Sequence, residues 1–286
     1  MTSARPQPGT DPILPVLLPY AAPEPAQLRR GIPPAMLAAC VLGGLLLVDT
    51  AAAQTSVPPS GWFPAVILRW TPLLLQGFAL NLLISAFAMT IGTAAGVALG
   101  LAQISRPFLL RKLAWTATQF FRNAPWLVLL FFVMFLVPFQ VRVGGTAIPL
   151  PDSLKATVGF ALPVMANMSE ILRGAVRSVP TPQWEAAESL AFTPRQTMWM
   201  IILPQSVKRM IPPWMNLYSL VTMATVQASV VGVSEMLTLT SQVHAAEGSR
   251  PELFAPLYGF SLLCFFLYCY PIDRWTARLE RRFGVV

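Results

Sequence analysis

Apolar stretches long enough to cross a bilayer dominate the chain, and most polar positions fall between them. The stretches cover residues 35–53, about 72–104, about 114–139, from 154 to about Glu170, about 213–240 and about 253–272. A helix needs roughly 20 predominantly apolar residues to span the hydrocarbon core. The pattern therefore predicts an all-α integral membrane protein with about six transmembrane helices, an N-terminal anchor followed by a core of five. Connections are short, with one exception: residues 173–213 form a long polar passage.

Composition agrees with the pattern. Apolar residues make up 55% and charged residues 11% of the 286 positions, against about 25% charged in a soluble domain. The net charge of +8 would suggest nucleic acid in a soluble protein; here it reads as basic cytoplasmic loops, and no nucleic-acid partner is expected. Cys40, Cys264 and Cys269 all lie in apolar runs and read as small buried hydrophobes. His244 sits in a short loop beside Glu247; one histidine builds no metal site, and no metal is expected.

Residues 1–34 are proline-rich and read as a disordered cytoplasmic tail. The run 35–53 has two readings, a short anchor helix or a signal peptide ending at Ala51-Ala52-Ala53; the anchor is preferred. Residues 54–71, with Trp62, Phe63, Arg69 and Trp70, suit the outer headgroup layer. Of the 20 Lys and Arg residues, all but Arg69, Arg142, Lys155 and Arg250 fall on one side of this arrangement. The positive-inside rule then makes 173–213 cytoplasmic, as are both termini if the first apolar run is not cleaved.

Within the long span from 72, Ala88, Gly92, Gly96 and Gly100 recur every four residues on one helix face. Lipid offers no hydrophobic drive for helix association, so small residues in register mark a packed interface. Charges inside spans are costly and mark pathways or buried pairs. Arg122 and Asn123 sit ~13 Å past the preceding basic turn and Glu170 ~12 Å from its helix end, at 1.5 Å per residue. Pro125 interrupts the backbone ladder just beyond. Arg122 and Glu170 are candidates for an ion pair or for groups that meet a zwitterionic solute. The plainer alternatives are a Glu170–Arg173 pair on one helix and an Arg122 that snorkels. Asn167, Ser169, Asn216, Thr222, Thr225, Gln227 and Ser229 supply neutral groups, for a polar path or as interhelical glue.

In the polar passage, Thr181-Pro182 offers an N-cap with proline at the first helical position and Glu185 in the first turn. Thr193-Pro194-Arg195-Gln196 repeats the device with a capping box, and Pro204 closes or kinks the second helix. Two short helices are expected, about 182–191 and 194–203. Trp184, Ala187 and Ala191 line a face of the first; Arg195, Trp199 and Ile202 line a face of the second. Exposed aromatics and a free carboxylate beside the membrane read as a docking knob for a cytoplasmic protein. An amphipathic hairpin lying on lipid is the plainer reading, and a DNA-binding helix-turn-helix would be badly placed against a bilayer.

Glu185-Ala186-Ala187, the turn at Ala191 and Ile201-x-Leu203-Pro204 resemble the EAA loop of permease subunits of binding-protein-dependent ABC importers. FRNAPWLVLLFF (121–132), SEILRGAVRSVP (169–180) and SVVGVSE (229–235) narrow the resemblance to polar amino acid permeases, over roughly 72–283. It implies a five-helix permease core whose coupling loop, within 173–213, inserts into a cleft of a cytosolic ABC ATPase. Glu185 would pair with a basic group there, and Ala186 and Ala187 would allow close approach. ATP and magnesium would belong to that partner, with no cofactor bound by this chain. The other implied partners are an extracytoplasmic solute-binding protein, a second permease subunit (the same or homologous) and membrane lipid, and the implied location is the bacterial inner membrane.

The chain departs from the pattern at several positions. Alanine stands at 191 in place of glycine, Leu129 in place of glutamine, Pro182 in place of glycine, and Met223-Ala224 in place of a Lys-Asp pair. The last exchange removes two intramembrane charges, so the family's substrate contacts there do not carry over. The chain has no G-x-x-x-x-G-K-[ST] and no nucleophile–base set, so it is not expected to be an enzyme. The competing function is a secondary transporter driven by an ion gradient. That would call for related repeats carrying broken helices, and the sequence suggests none; a third reading is a membrane scaffold or receptor.

Overall fold

The computed structural model describes residues 63–143 and 146–283. The expected tail 1–34, the anchor or signal run 35–53 with Cys40, and residues 54–62 lie outside the described residues.

Helix α1 (Phe63–Gln103) has 41 residues, ~60 Å at 1.5 Å per residue and so about twice the hydrocarbon thickness. It starts ahead of Pro72, so residues 63–71, expected as an interfacial segment, continue the span as helix. The Thr71 hydroxyl donates to the Ile67 carbonyl (2.7 Å) where Pro72 interrupts the ladder. Its buried positions include Leu74, Gly77, Asn81, Ile84, Ala88, Gly92, Gly96 and Gly100, a stripe at helical spacing. Much of that stripe meets α4 (Asp152–Arg177), the most extensive helix pair among the described residues. A Cβ on Gly92 would stand 2.4 Å from Val164 Cγ1, and one on Gly96 2.6 Å from the Met165 carbonyl oxygen. The two backbones approach more closely than any side chain permits.

The span expected over 114–139 is two helices, α2 (Phe108–Asn123) and α3 (Trp126–Leu136), bent by 106°. Ala124 and Pro125 between them are both extended, at ψ 137 and 127. Proline disfavours the helical region for the residue before it, and Pro125 then serves as N-cap of α3. A two-stranded antiparallel hairpin follows, β1 (Gln140–Val143) and β2 (Thr146–Pro149), the one sheet among the described residues, whose other elements are helical. Lys155, expected at the outer face, is buried there. Its ammonium lies 3.6 Å from the centre of the Phe139 ring and 3.0 Å from Asp152 Oδ1.

After α4 come α5 (Thr181–Ser189) and α6 (Pro194–Gln196). The second helix of the expected hairpin does not stop at Pro204. It runs through a π-helical turn (Thr197–Ile202) into α7 (Leu203–Ala224). Pro204 falls in the first turn of α7, where its missing N–H costs little after the wide turn. The helix then tightens to a 3-10 stretch (Thr225–Val231), ends at left-handed Gly232 (φ 88), and resumes as α8 (Met236–Ala246) after a 52° bend. The continuous span expected over 213–240 is therefore broken. His244 lies in the last turn of α8 instead of a loop, and α9 (Pro251–Phe283) completes the chain.

Two described helices, α1 and α9, are long and apolar enough to cross a membrane; the bent pairs raise this to four if each crosses once. Helix α4, with Lys155, Glu170, Arg173 and Arg177, is not among them. It packs against α1, α2, α3 and α7, so most of its polar residues meet protein instead of lipid. The central core joins Ile84 and Ala88 of α1, Leu130 of α3, Phe160 and Val164 of α4, Leu217 and Val221 of α7, and Ala228 of the 3-10 stretch.

Candidate functional site

The break between α2 and α3 and the change from α-helix to 3-10 at Thr225 border one cavity of about 590 Å³. Arg122 and Asn123 at the end of α2 and Trp126 at the start of α3 line it at the break. Leu220 and Ala224 of α7 and Gln227 of the 3-10 stretch line it around that change, and Asn167 of α4 completes it. Irregular backbone at membrane depth is tolerated where it borders such a cavity. Of the six residues singled out for a pathway, Arg122, Asn123 and Gln227 line the cavity, and Glu170 stands behind it.

Glu170 takes part in both pairings considered for it. The Arg173 guanidinium donates through Nε to both carboxylate oxygens (3.1 and 3.2 Å) and through Nη2 to Oε2. Arg122 Nη1 approaches Oε2 only to 3.7 Å, too far for a hydrogen bond. The Glu170 side chain is 11% exposed and that of Arg122 47%, so Arg122 is the charge that meets the cavity. The Gln227 Oε1 is buried without a hydrogen-bond partner, and a buried acceptor left unpaired is costly.

Asn216 and Thr225 lie elsewhere. Asn216 is exposed on α7 and is not a cavity residue. Thr225 is buried in a polar knot that joins α1 to α8. Asn81 Nδ2 donates to Thr225 Oγ1 and to Glu235 Oε2, both at 3.0 Å, while Asn81 Oδ1 accepts from the Met236 N–H at 3.1 Å. Glu235 caps α8, accepting from the N–H groups of Leu237 (3.0 Å) and Thr238 (2.9 Å). Sequence reasoning passed over Asn81 and did not identify Glu235 as a cap; the signal was a carboxylate just after a left-handed glycine and ahead of an apolar run. Ser169 likewise bonds inside a second knot with Gln103 and Thr118, at 2.8–3.1 Å. Thr222 donates to its own helix, to the Tyr218 carbonyl.

The hairpin of α5 and α6 is well braced. Thr193 caps α6 in a full capping box with Gln196. Thr181, expected as the N-cap of α5, is instead its first helical residue, with Pro180 at the cap. Ala191 takes the left-handed conformation (φ 55). Its N–H bonds to the Glu188 carbonyl (2.9 Å) and the Phe192 N–H to the Ala187 carbonyl (3.1 Å), the Schellman closure that favours glycine. Glu185, Ala186 and Ala191 are exposed, Ala187 is buried, Ile201 and Leu203 are half-buried, and Pro204 is exposed. Arg195 and Trp199 point outward while Ile202 is fully buried, so these three do not share one face; the π-helical turn shifts their phase. Leu190, Trp199 and Met200 leave apolar surface exposed around the hairpin. Arg209 Nη1 donates to the Ser178 carbonyl (2.7 Å), tying α7 to the end of α4.

A family model described as the inner membrane component of binding-protein-dependent transport systems matches residues 88–285, taking in the cavity and the hairpin alike. The chain belongs to this family. It is 34% identical to the probable amino-acid ABC transporter permease protein YckA of Bacillus subtilis, over 74% of this chain and 90% of that one. The fold is that of a solved amino acid ABC transporter chain, with TM-score 0.67 and 22% identity over 78% of this chain and all of the other. A chain of the MetNI methionine ABC transporter, in inward-facing form, matches with TM-score 0.60 and 19% identity over 75% of this chain and 98% of the other. Members of this permease family are membrane components, not the catalytic subunits.

Proposed function

We propose that the chain is the membrane-spanning subunit of an ABC importer that moves a polar amino acid or related small solute into the cytoplasm, powered by a partner ATPase. Family membership and the relatives named as amino-acid permeases support this reading. One observation carries the mechanism. The helical run from Pro194 to Val231 bears hairpin residues at one end and Leu220, Ala224 and Gln227 of the cavity at the other. A displacement of the hairpin by the ATPase is thereby delivered to the cavity wall.

In this reading Glu185, exposed on α5, pairs with a basic group of the ATPase, and Ala186 beside it allows close approach. Ala187 faces inward, so its small size serves the hairpin's own packing. Among the described residues the spans are α1, the bent pair α2–α3, α4, the Pro194–Ala246 pair and α9, with the hairpin on the cytoplasmic side. A second permease subunit closes the path, a solute-binding protein delivers cargo at the outer face, and ATP and magnesium stay on the ATPase. The ion-gradient alternative gains the broken helices that the sequence did not suggest, but it has no use for the hairpin and no support from the family. Affinity purification of the full chain from its native membrane tests the assignment. A Walker-A ATPase is expected to co-purify with the wild type and to be lost from Glu185→Arg while the chain stays folded. Recovery of the wild type without any such ATPase would count decisively against it.

A further inference from the structure

The charge in and behind the cavity does not cancel. Arg122 is the only ionisable residue among its lining residues. Glu170, the carboxylate nearest to it, is largely buried, does not line the cavity, and is hydrogen-bonded to Arg173. Two guanidinium groups and one carboxylate leave a net positive charge. The tight Arg173–Glu170 pairing leaves that excess on the half-exposed Arg122, which holds Glu170 only at 3.7 Å. The rest of the wall is neutral. Asn123 and Asn167 each donate an amide N–H to their own helix, to the Gln119 and Pro163 carbonyls. Gln227 keeps a buried Oε1 with no donor.

We propose that this cavity selects solutes by charge, favouring an amino acid with an acidic side chain over a neutral one and rejecting cationic ones. The inference rests on the reading of the cavity as the solute path. Arg122 engages a carboxylate with charge-assisted hydrogen bonds. A second carboxylate adds attraction to the uncompensated Arg122. A second ammonium or guanidinium group meets repulsion and finds no acidic residue in the part of the wall that the described residues of this chain supply. A site discriminates by leaving the wrong solute's charge unpaired as much as by matching the right one.

Small charged thiol reagents read the field directly. In the full chain assembled with its ATPase, with Cys40, Cys264 and Cys269 replaced by serine, Ala224→Cys puts a thiol in the cavity wall, and Ser241→Cys provides an exposed reference. The ratio of rates for an anionic and a cationic methanethiosulfonate is expected to be at least tenfold higher at Ala224→Cys than at the reference, and to fall toward the reference when Arg122→Gln is added. Equal ratios at the two thiols, or a ratio insensitive to Arg122→Gln, overturn the proposal. Solute protection separates it from the pathway reading. L-glutamate is expected to slow labelling of the Ala224→Cys thiol, L-glutamine less, and L-lysine not at all. Protection by lysine equal to that by glutamate leaves the path standing and overturns the charge selection. Protection by none of the three overturns the path itself and the selectivity with it.

Discussion

Replacing Ala191 by glycine is expected to tighten the hairpin of α5 and α6. Ala191 closes α5 at φ 55, with two backbone hydrogen bonds that require this conformation. A non-glycine residue in the left-handed region pays roughly 1–2 kcal/mol. Glycine removes that strain but returns about 0.4–1 kcal/mol through its freer unfolded chain. The net gain is ~0.5–1 kcal/mol, a factor of about 2–5 in the local opening equilibrium. Hydrogen exchange on peptides covering residues 187–196 reads it, since the amides of Ala191 and Phe192 make the closing bonds. Exchange there is expected to slow about 2–5-fold in Ala191→Gly and to speed up in Ala191→Val, whose branched side chain fits the conformation worst. Unchanged protection in Ala191→Gly, or wild-type protection in Ala191→Val, would refute the claim that left-handed strain sits at this turn.

Other expectations follow from the same geometry. Gly96→Val pushes a branched side chain against the Met165 carbonyl and should cost at least ~1–3 kcal/mol, seen as a lower melting temperature and folded yield. Gly174→Ala, on an exposed stretch of α4 with open space around the added carbon, should be neutral or gain up to ~1 kcal/mol. Glu235→Gln keeps the shape but turns an amide NH2 toward groups that all donate, Asn81 Nδ2 and the N–H groups of Leu237 and Thr238. A loss of ~1–3 kcal/mol is expected, read as a lower melting temperature of the purified complex.

The membrane class, the helical content and the small-residue face of α1 were legible because each is written as a period or a composition. The breaks were less so. Pro125 marked a disturbed ladder, but only the extended pair Ala124–Pro125 turns the chain by 106°. The change from α-helix to 3-10 at Thr225 has no proline or glycine to announce it, and Gly232 comes only at its end. Once the helix tightens, helical spacing no longer says which side chains share a face. Thr225 therefore turns to the Asn81 knot while Gln227 lines the cavity. Pro204 misled in the other direction, since a preceding π-helical turn lets the helix continue through it. Lys155 read as an outer-surface charge because nothing local announces the Phe139 ring that covers it.

The central claim is that a cytoplasmic ATPase, acting through the hairpin, drives solute through this chain. Uptake of a labelled amino acid into proteoliposomes holding the full chain, its ATPase and its binding protein tests that most directly. The account predicts uptake that requires ATP on the hairpin side, is indifferent to collapse of ion gradients, and is abolished by Glu185→Arg in a chain that still folds. Uptake that proceeds without ATP and follows an imposed ion gradient would contradict it.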